Sequence, residues 1–143
     1  LASLREFIGR FSFQLDHPTM DDLMAVFEKN HPETRDFFDQ YVRGKAIPNP
    51  GYKVVSREKN PDGSWEVRCE IENRGQGDLD LEVAATRGER EKDGYEEART
   101  RVPLRGKTPV TAEIRCAFEP ESVEMDPDCL VLLQERTQGK RKL

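Results

Sequence analysis

Gly44-Lys45-Ala46-Ile47-Pro48-Asn49-Pro50 is where the hydrophobic period of this chain changes. Before it, apolar residues recur every three to four positions, the spacing of a helix face. After it they alternate, the spacing of a half-buried strand. The chain therefore reads as a short helical segment joined to an all-β module. The expected division is a helical segment over 1–44, a linker over 45–51, a β-sandwich over 52–136 and a disordered tail over 137–143.

On the β side, Ser64 to Asn73 carries the clearest signal. Trp65, Val67, Cys69 and Ile71 point one way, and Glu66, Arg68, Glu70 and Glu72 the other. Tyr52 to Arg57 precedes it, across the hairpin turn Asn60-Pro61-Asp62-Gly63. Leu79, Leu81, Val83 and Ala85 repeat the alternation. Glu97 to Leu104 reads as an edge strand, because Pro103 cannot donate to a ladder. Val110, Ala112, Ile114, Cys116 and Phe118 alternate again. Val123, Met125 and the apolar run Leu130-Val131-Leu132-Leu133 complete six or seven strands. Their regular spacing predicts an antiparallel sandwich of immunoglobulin or fibronectin type. A true immunoglobulin domain places its tryptophan after the first core cysteine. Here Trp65 precedes Cys69, so the likeness is one of architecture.

On the helical side, Leu4, Phe7, Ile8 and Phe11 mark a first helix. Its pattern fades through 12–15, and Asp16-His17-Pro18 breaks it. Thr19 is a good N-cap, with Asp21 and Asp22 in the first turn, where the helix dipole favours negative charge. Met20, Leu23, Met24 and Phe27 line one face of the second helix. Pro32 suits the first turn of a third, whose face is Phe37, Phe38, Tyr41 and Val42. Gly44 is placed as its C′ residue. A unit of about 44 residues buries little by itself. Its apolar stripes are therefore expected to meet another surface, in a partner domain or by self-association.

The composition narrows function by exclusion. The 143 residues are 35% hydrophobic and 36% charged, with a net charge of −5. A chain of this length buries roughly two-thirds of its unfolded surface and needs no metal or disulfide to fold. The acidic balance argues against nucleic acid as a partner, since that binding needs a basic footprint. The cluster Lys140-Arg141-Lys142 reads as a solvated tail. No apolar stretch approaches the ~20 residues of a membrane-spanning helix, and no signal peptide is evident. The chain opens mid-pattern at Leu1-Ala2-Ser3-Leu4, which suggests a mature product or a piece of a longer protein.

Catalytic groupings are not apparent. Cys69, Cys116 and Cys129 form no Cys-x-x-Cys pair, and His17 and His31 stand far from them, so zinc-ligand spacing is absent. Cys69 and Cys116 both fall on apolar strand phases and can face each other across a sandwich; two buried thiols is the preferred reading over a disulfide. The acidic groups Asp21-Asp22, Glu96-Glu97 and Glu89/Glu91/Asp93 read as solvated charge. Asp126-Pro127-Asp128 is half of a calcium loop, but without its glycine and distal glutamate it reads as a turn. His17 and His31 each precede a proline at a helix boundary, where capping or packing is the plainer role. No serine sits in Gly-x-Ser-x-Gly, and no glycine-rich phosphate cradle opens a helix.

Two stretches resemble a known family. Thr19-Met20-Asp21-Asp22-Leu23 through Phe37-Phe38-Asp39-Gln40-Tyr41 to Ile47-Pro48 is similar to the end of the catalytic region in M1-family zinc aminopeptidases. Phe118-Glu119-Pro120-Glu121-Ser122-Val123-Glu124-Met125-Asp126-Pro127-Asp128 is similar to the closing part of the sandwich that follows it. Similar tails occur in bacterial M1-like proteins fused to ABC-2 type transporter permeases. The family's zinc site, His-Glu-x-x-His with a downstream Glu, is not in this sequence, so the resemblance carries over no catalytic, cofactor or metal residue. It implies a non-catalytic accessory region, with zinc confined to an absent catalytic domain. The interface to that domain would be Met20, Leu23, Phe27, Phe37, Phe38 and Tyr41. The alternative is a free-standing adhesion or ligand-binding sandwich that makes contact through the loops at 88–94 and 126–128.

Overall fold

A computed structural model of the chain describes residues 1–11, 16–134 and 140–143. It divides into two compact units, Leu1–Lys45 and Ala46–Leu143.

In the first unit, α1 (Ala2–Arg10) and α2 (Met20–Asn30) are tied by polar contacts. Lys29 Nζ lies 2.8 Å from Glu6 Oε1, and Asn30 Nδ2 donates to Glu6 Oε2 at 2.7 Å. These hydrogen bonds, from Asn30 first and then Lys29, lower the Glu6 pKa. Thr19 caps α2 as expected and completes a capping box: Asp22 N donates to its hydroxyl, and Thr19 N donates to the Asp22 carboxylate. Bonds to the Thr19 backbone and hydroxyl lower the Asp22 pKa. Two orphan amides of the helix start are thereby satisfied. Met24 and Val26 are the buried residues of α2.

The third helix departs from expectation at both ends. Helical structure, α3, spans Thr34–Phe38, and Pro32 lies in the turn before it. Thr34 N and Arg35 N donate to the carbonyls of His31 and Pro32, so the chain makes a tight turn first. Asp39–Arg43 then continues as a π-helical turn. Gly44 is not left-handed: its φ is −85°. Its role is close approach, because a Cβ there would sit 2.5 Å from the Gln40 carbonyl oxygen.

The second unit is mainly β, two antiparallel sheets consistent with the expected sandwich. The strands are β1 (Pro50–Lys59), β2 (Trp65–Asn73), β3 (Leu79–Arg87), β4 (Glu96–Leu104), β5 (Val110–Cys116), β6 (Ser122–Met125) and β7 (Lys140–Lys142). One sheet has the order β1-β2-β5, the other β4-β3-β6-β7. The fourth strand pairs with the third, whereas a constant-type immunoglobulin domain puts it in the sheet of the first two. Val67, Cys69, Ile71, Leu81, Val83, Leu104, Ile114 and Val123 form the dry centre.

The alternation foreseen in β2, β3 and β5 holds, and β4 is an edge strand with Pro103 opposite Asp80. Cys69 and Cys116 do not face each other across the sandwich. They lie on one sheet, Cys69 opposite Ala112 and Cys116 opposite Trp65. Four residues of strand, roughly 13 Å, separate their positions, and both are free thiols. Burial raises both thiol pKa values, that of Cys69 to about 11.

Three further differences concern the ends of the module. Most of the expected linker belongs to the sandwich: Arg74 N and Gln76 N donate to the carbonyls of Asn49 and Ile47. Leu130–Leu133 is not a strand. The amides of Leu130 and Val131 donate to the Asp126 carboxylate, at 2.8 and 3.1 Å, instead of to a ladder. The seventh strand comes from the expected tail: Lys142, Arg141 and Lys140 pair with Ser122, Val123 and Glu124.

Candidate functional site

The six residues singled out by sequence lie on the helical unit. Phe37 and Phe38 are adjacent, and Tyr41 follows Phe37 by four positions, so a helical turn brings Phe37 and Tyr41 to one side. Their rings stand 5.2 Å apart; Phe37 and Phe38 are 5.7 Å apart and close to edge-on. Phe38 meets Phe27 of α2 at 6.3 Å with an interplanar angle of 88°. Such offset and edge-on pairs are worth about 0.5–1.5 kcal/mol beyond their burial. The structure thus joins four of the six residues into one chain of rings. Leu23 is half-buried on α2, and Met20 is 58% exposed at its start. Phe37, mid-chain, is 54% exposed. Arg43 flanks the rings; it bonds Asp39 and lies 2.8 Å from Glu28 Oε1.

The sandwich brings together the two loops of the alternative reading. Arg90 donates to the Pro127 carbonyl and to Asp128, both at 2.6 Å. Arg99, on the outer face of β4, contacts Asp128, Glu97 and Glu82. Bonds from Arg99 and Arg90 lower the Asp128 pKa to about 2, and Asp128 and Glu97 push the Arg99 pKa upward. These charges are spent on each other. Arg90 ties the loop at 88–94 to the loop at 126–128, and on β3 nearby Ala84 and Thr86 are fully buried.

Asp126 is buried and works as a turn acceptor, with φ of +48°. Among the described residues no group of three or more His, Cys, Asp or Glu side chains is placed to hold a metal ion. His31 caps the C-terminus of α2, and its Nδ1 lies 3.4 Å from Glu33.

Sequence reasoning missed the Arg99 hub and a second cluster at Trp65. Glu97 and Arg99 sit two apart on a strand and so share a face, a visible signal. Asp128, 29 positions on, is not visible that way. At Trp65, a bulge in β1 between Val54 and Ser56 shifts the register. The shift places Arg57 opposite Val67 and Lys59 opposite Trp65, and their cations lie 5.4 and 5.9 Å from the Trp65 ring.

No family model matches the chain, and neither the curated proteins nor the solved structures yield a match. No helix among the described residues is long and apolar enough to cross a membrane.

Proposed function

We propose that this chain is a non-catalytic accessory region that docks on a further protein domain through the aromatic face of its helical unit. The observation that carries the reading is the ring chain Phe27–Phe38–Phe37–Tyr41, with Phe37 at its middle more than half exposed. Contiguous apolar surface is costly to leave in water, and a cluster of aromatic rings is the usual anchor of an interface. The resemblance of Thr19–Pro48 and Phe118–Asp128 to the end of M1-family chains makes the partner an M1-like metallopeptidase catalytic domain. In this reading zinc belongs to that domain. The sandwich is then a rigid support, held by its own core.

The experiment is a calorimetric titration of this chain against a separately produced M1-family catalytic domain. Micromolar or tighter binding is expected, with loss of at least tenfold in Phe37→Asp. No heat of binding overturns the choice of partner. A zinc-supplemented peptidase assay of this chain alone should stay at background; turnover overturns the accessory role.

A further inference from the structure

We propose, on the docking role argued above, that Glu28 is the positioning residue of the aromatic face: its carboxylate holds Phe37 and Tyr41 in the arrangement that the partner meets. Glu28 follows Phe27 on α2, and its side chain is 16% exposed. Two arginines converge on it from the segment that carries the rings. Arg43 Nη2 lies 2.8 Å from its Oε1, and Arg35 Nε lies 3.6 Å from its Oε2. Arg35 stands two residues before Phe37, and Arg43 two residues after Tyr41. One carboxylate thus brackets the pair of rings.

The segment needs such a bracket. α3 is five residues long, and the π-helical turn after it another five. Helices that short are not stable in water by themselves. Phe38 meets α2 through Phe27, a single ring contact about which the segment is free to pivot. Arg35 and Arg43 grip Glu28 on either side of Phe38 in sequence and remove that freedom. The wide π-helical turn sets the direction in which Arg43 projects. Gly44 permits the turn, because a Cβ there would lie 2.7 Å from the Asp39 carbonyl oxygen. Asp39 Oδ1 holds Arg43 Nη1 at 2.6 Å. Glu28 is mostly buried, and a buried carboxylate is costly to leave without its cation.

A face held in place binds without first being ordered. Once loosened, it is competent for only part of the time, and its apparent affinity falls by that fraction. Glu28 therefore controls docking without being one of the rings.

The test repeats the titration against an M1-family catalytic domain with Glu28→Gln and with Arg43→Gln, and adds nuclear Overhauser contacts between the Phe27 and Phe38 rings in the free chain. Both variants, folded by circular dichroism, should bind at least fivefold more weakly and lose the ring contacts. Arg43 is an exposed position, so its variant keeps the test open if Glu28→Gln fails to fold. Added to Phe37→Ala, Glu28→Gln should weaken binding by at most twofold more, because the two act on one face. Lys29→Ala, which breaks the ion pair of α2 with Glu6 of α1, should bind as the parent does. Parent-like binding by either folded variant overturns the inference. So do additive losses with Phe37→Ala, or an equal loss in Lys29→Ala, since general destabilisation then accounts for the effect. If the parent itself does not bind, the choice of partner fails, and the ring contacts decide the positioning role: their loss in Arg43→Gln supports it, and their retention overturns it.

Discussion

The Tyr52 hydroxyl donates to the Val123 carbonyl oxygen at 2.8 Å, a buried bond between β1 of one sheet and β6 of the other. Beside it the Arg141 guanidinium of β7 lies 5.2 Å from the Tyr52 ring, so Tyr52 ties the two sheets directionally as well as by apolar packing. Removing a buried hydrogen-bond donor while its acceptor stays costs about 1–3 kcal/mol. Tyr52→Phe is expected to lower the unfolding free energy by about 1–2 kcal/mol in urea titration, at unchanged m-value. The phenol also carries a pH signature. Burial, opposed in part by Arg141, pushes its pKa up to about 12. The folded state thus holds its proton past the unfolded value of about 10. Its contribution is whole below pH ~10 and is lost as pH rises toward 12. The parent should lose stability over that range more steeply than Tyr52→Phe.

Trp65 is the chain's single tryptophan and reports on the cations above it. Cation–π contacts at partly exposed sites are worth about 0.5–1 kcal/mol. Arg57→Ala should cost about 1 kcal/mol, adding the bond to the Pro120 carbonyl. It should also raise acrylamide quenching of Trp65 fluorescence. Arg68→Ala, at an exposed position of the strand that carries Trp65, should leave quenching unchanged.

These two sites show where sequence reading reaches and where it stops. The phase of β2 is legible because Trp65, Val67, Cys69 and Ile71 each alternate with a charge. Thr19 is legible because a cap is a local event. The aromatic face is legible for the same reason, since Phe37, Phe38 and Tyr41 share one or two turns. The bulge is not legible: Val54-Val55-Ser56 reads as unbroken strand, and only pairing with Cys69 and Arg68 leaves Val55 as the extra residue. Lys140–Lys142 has no apolar alternation, and its strand forms by pairing with the distant β6 edge. Leu130–Leu133 has the strand composition, but its first two amides are taken by Asp126. In each miss, a distant or side-chain partner claims the backbone groups that a local pattern assigns elsewhere.

Asp126 is the most exacting of those partners. It is 4% exposed, sits at positive φ and accepts two backbone amides. Asp126→Ala leaves both amides unpaired and puts a Cβ residue with no turn-forming side chain at left-handed φ. A loss of about 2–4 kcal/mol is expected by chemical denaturation. Asp126→Asn keeps one acceptor oxygen and tolerates the conformation, so it should lose less than half as much. Equal losses would show that the charge, rather than the geometry, matters.

Asp128 sets an acid limb. With its pKa lowered to about 2 by Arg99 and then Arg90, against about 3.9 unfolded, its contribution is present above pH ~4. It is lost as pH falls toward 2. Asp128→Asn should flatten that part of the thermal-stability profile and free the loop at 88–94, read as faster amide exchange at Arg90 to Lys92. The pairs are exposed, so 1 M salt should reduce the difference between parent and variant.

Asn73 decides whether the seam of the chain stays attached to the sandwich. Its buried side chain accepts from the amides of Asn49 and Gly75, both at 3.0 Å, and donates to the Gly77 carbonyl at 2.7 Å. Asn49 stands in the stretch where the hydrophobic period changes. Gly75 is there because a Cβ would lie 2.3 Å from the Ile47 carbonyl oxygen. One amide side chain therefore joins the entry into β1 to the turn after β2. Asn73→Asp keeps the acceptor but removes the donor to Gly77 and adds a buried charge; Asn73→Leu removes all three bonds. Losses of about 2 and 4 kcal/mol are expected, in urea titration. In Asn73→Leu the amides of Arg74 and Gln76, which bond the same stretch, should exchange at least tenfold faster. Protection at Val67 and Ile114 should fall only with global stability. If 74 and 76 stay protected when Asn73 is gone, the backbone pairing of 47–49 holds the seam by itself.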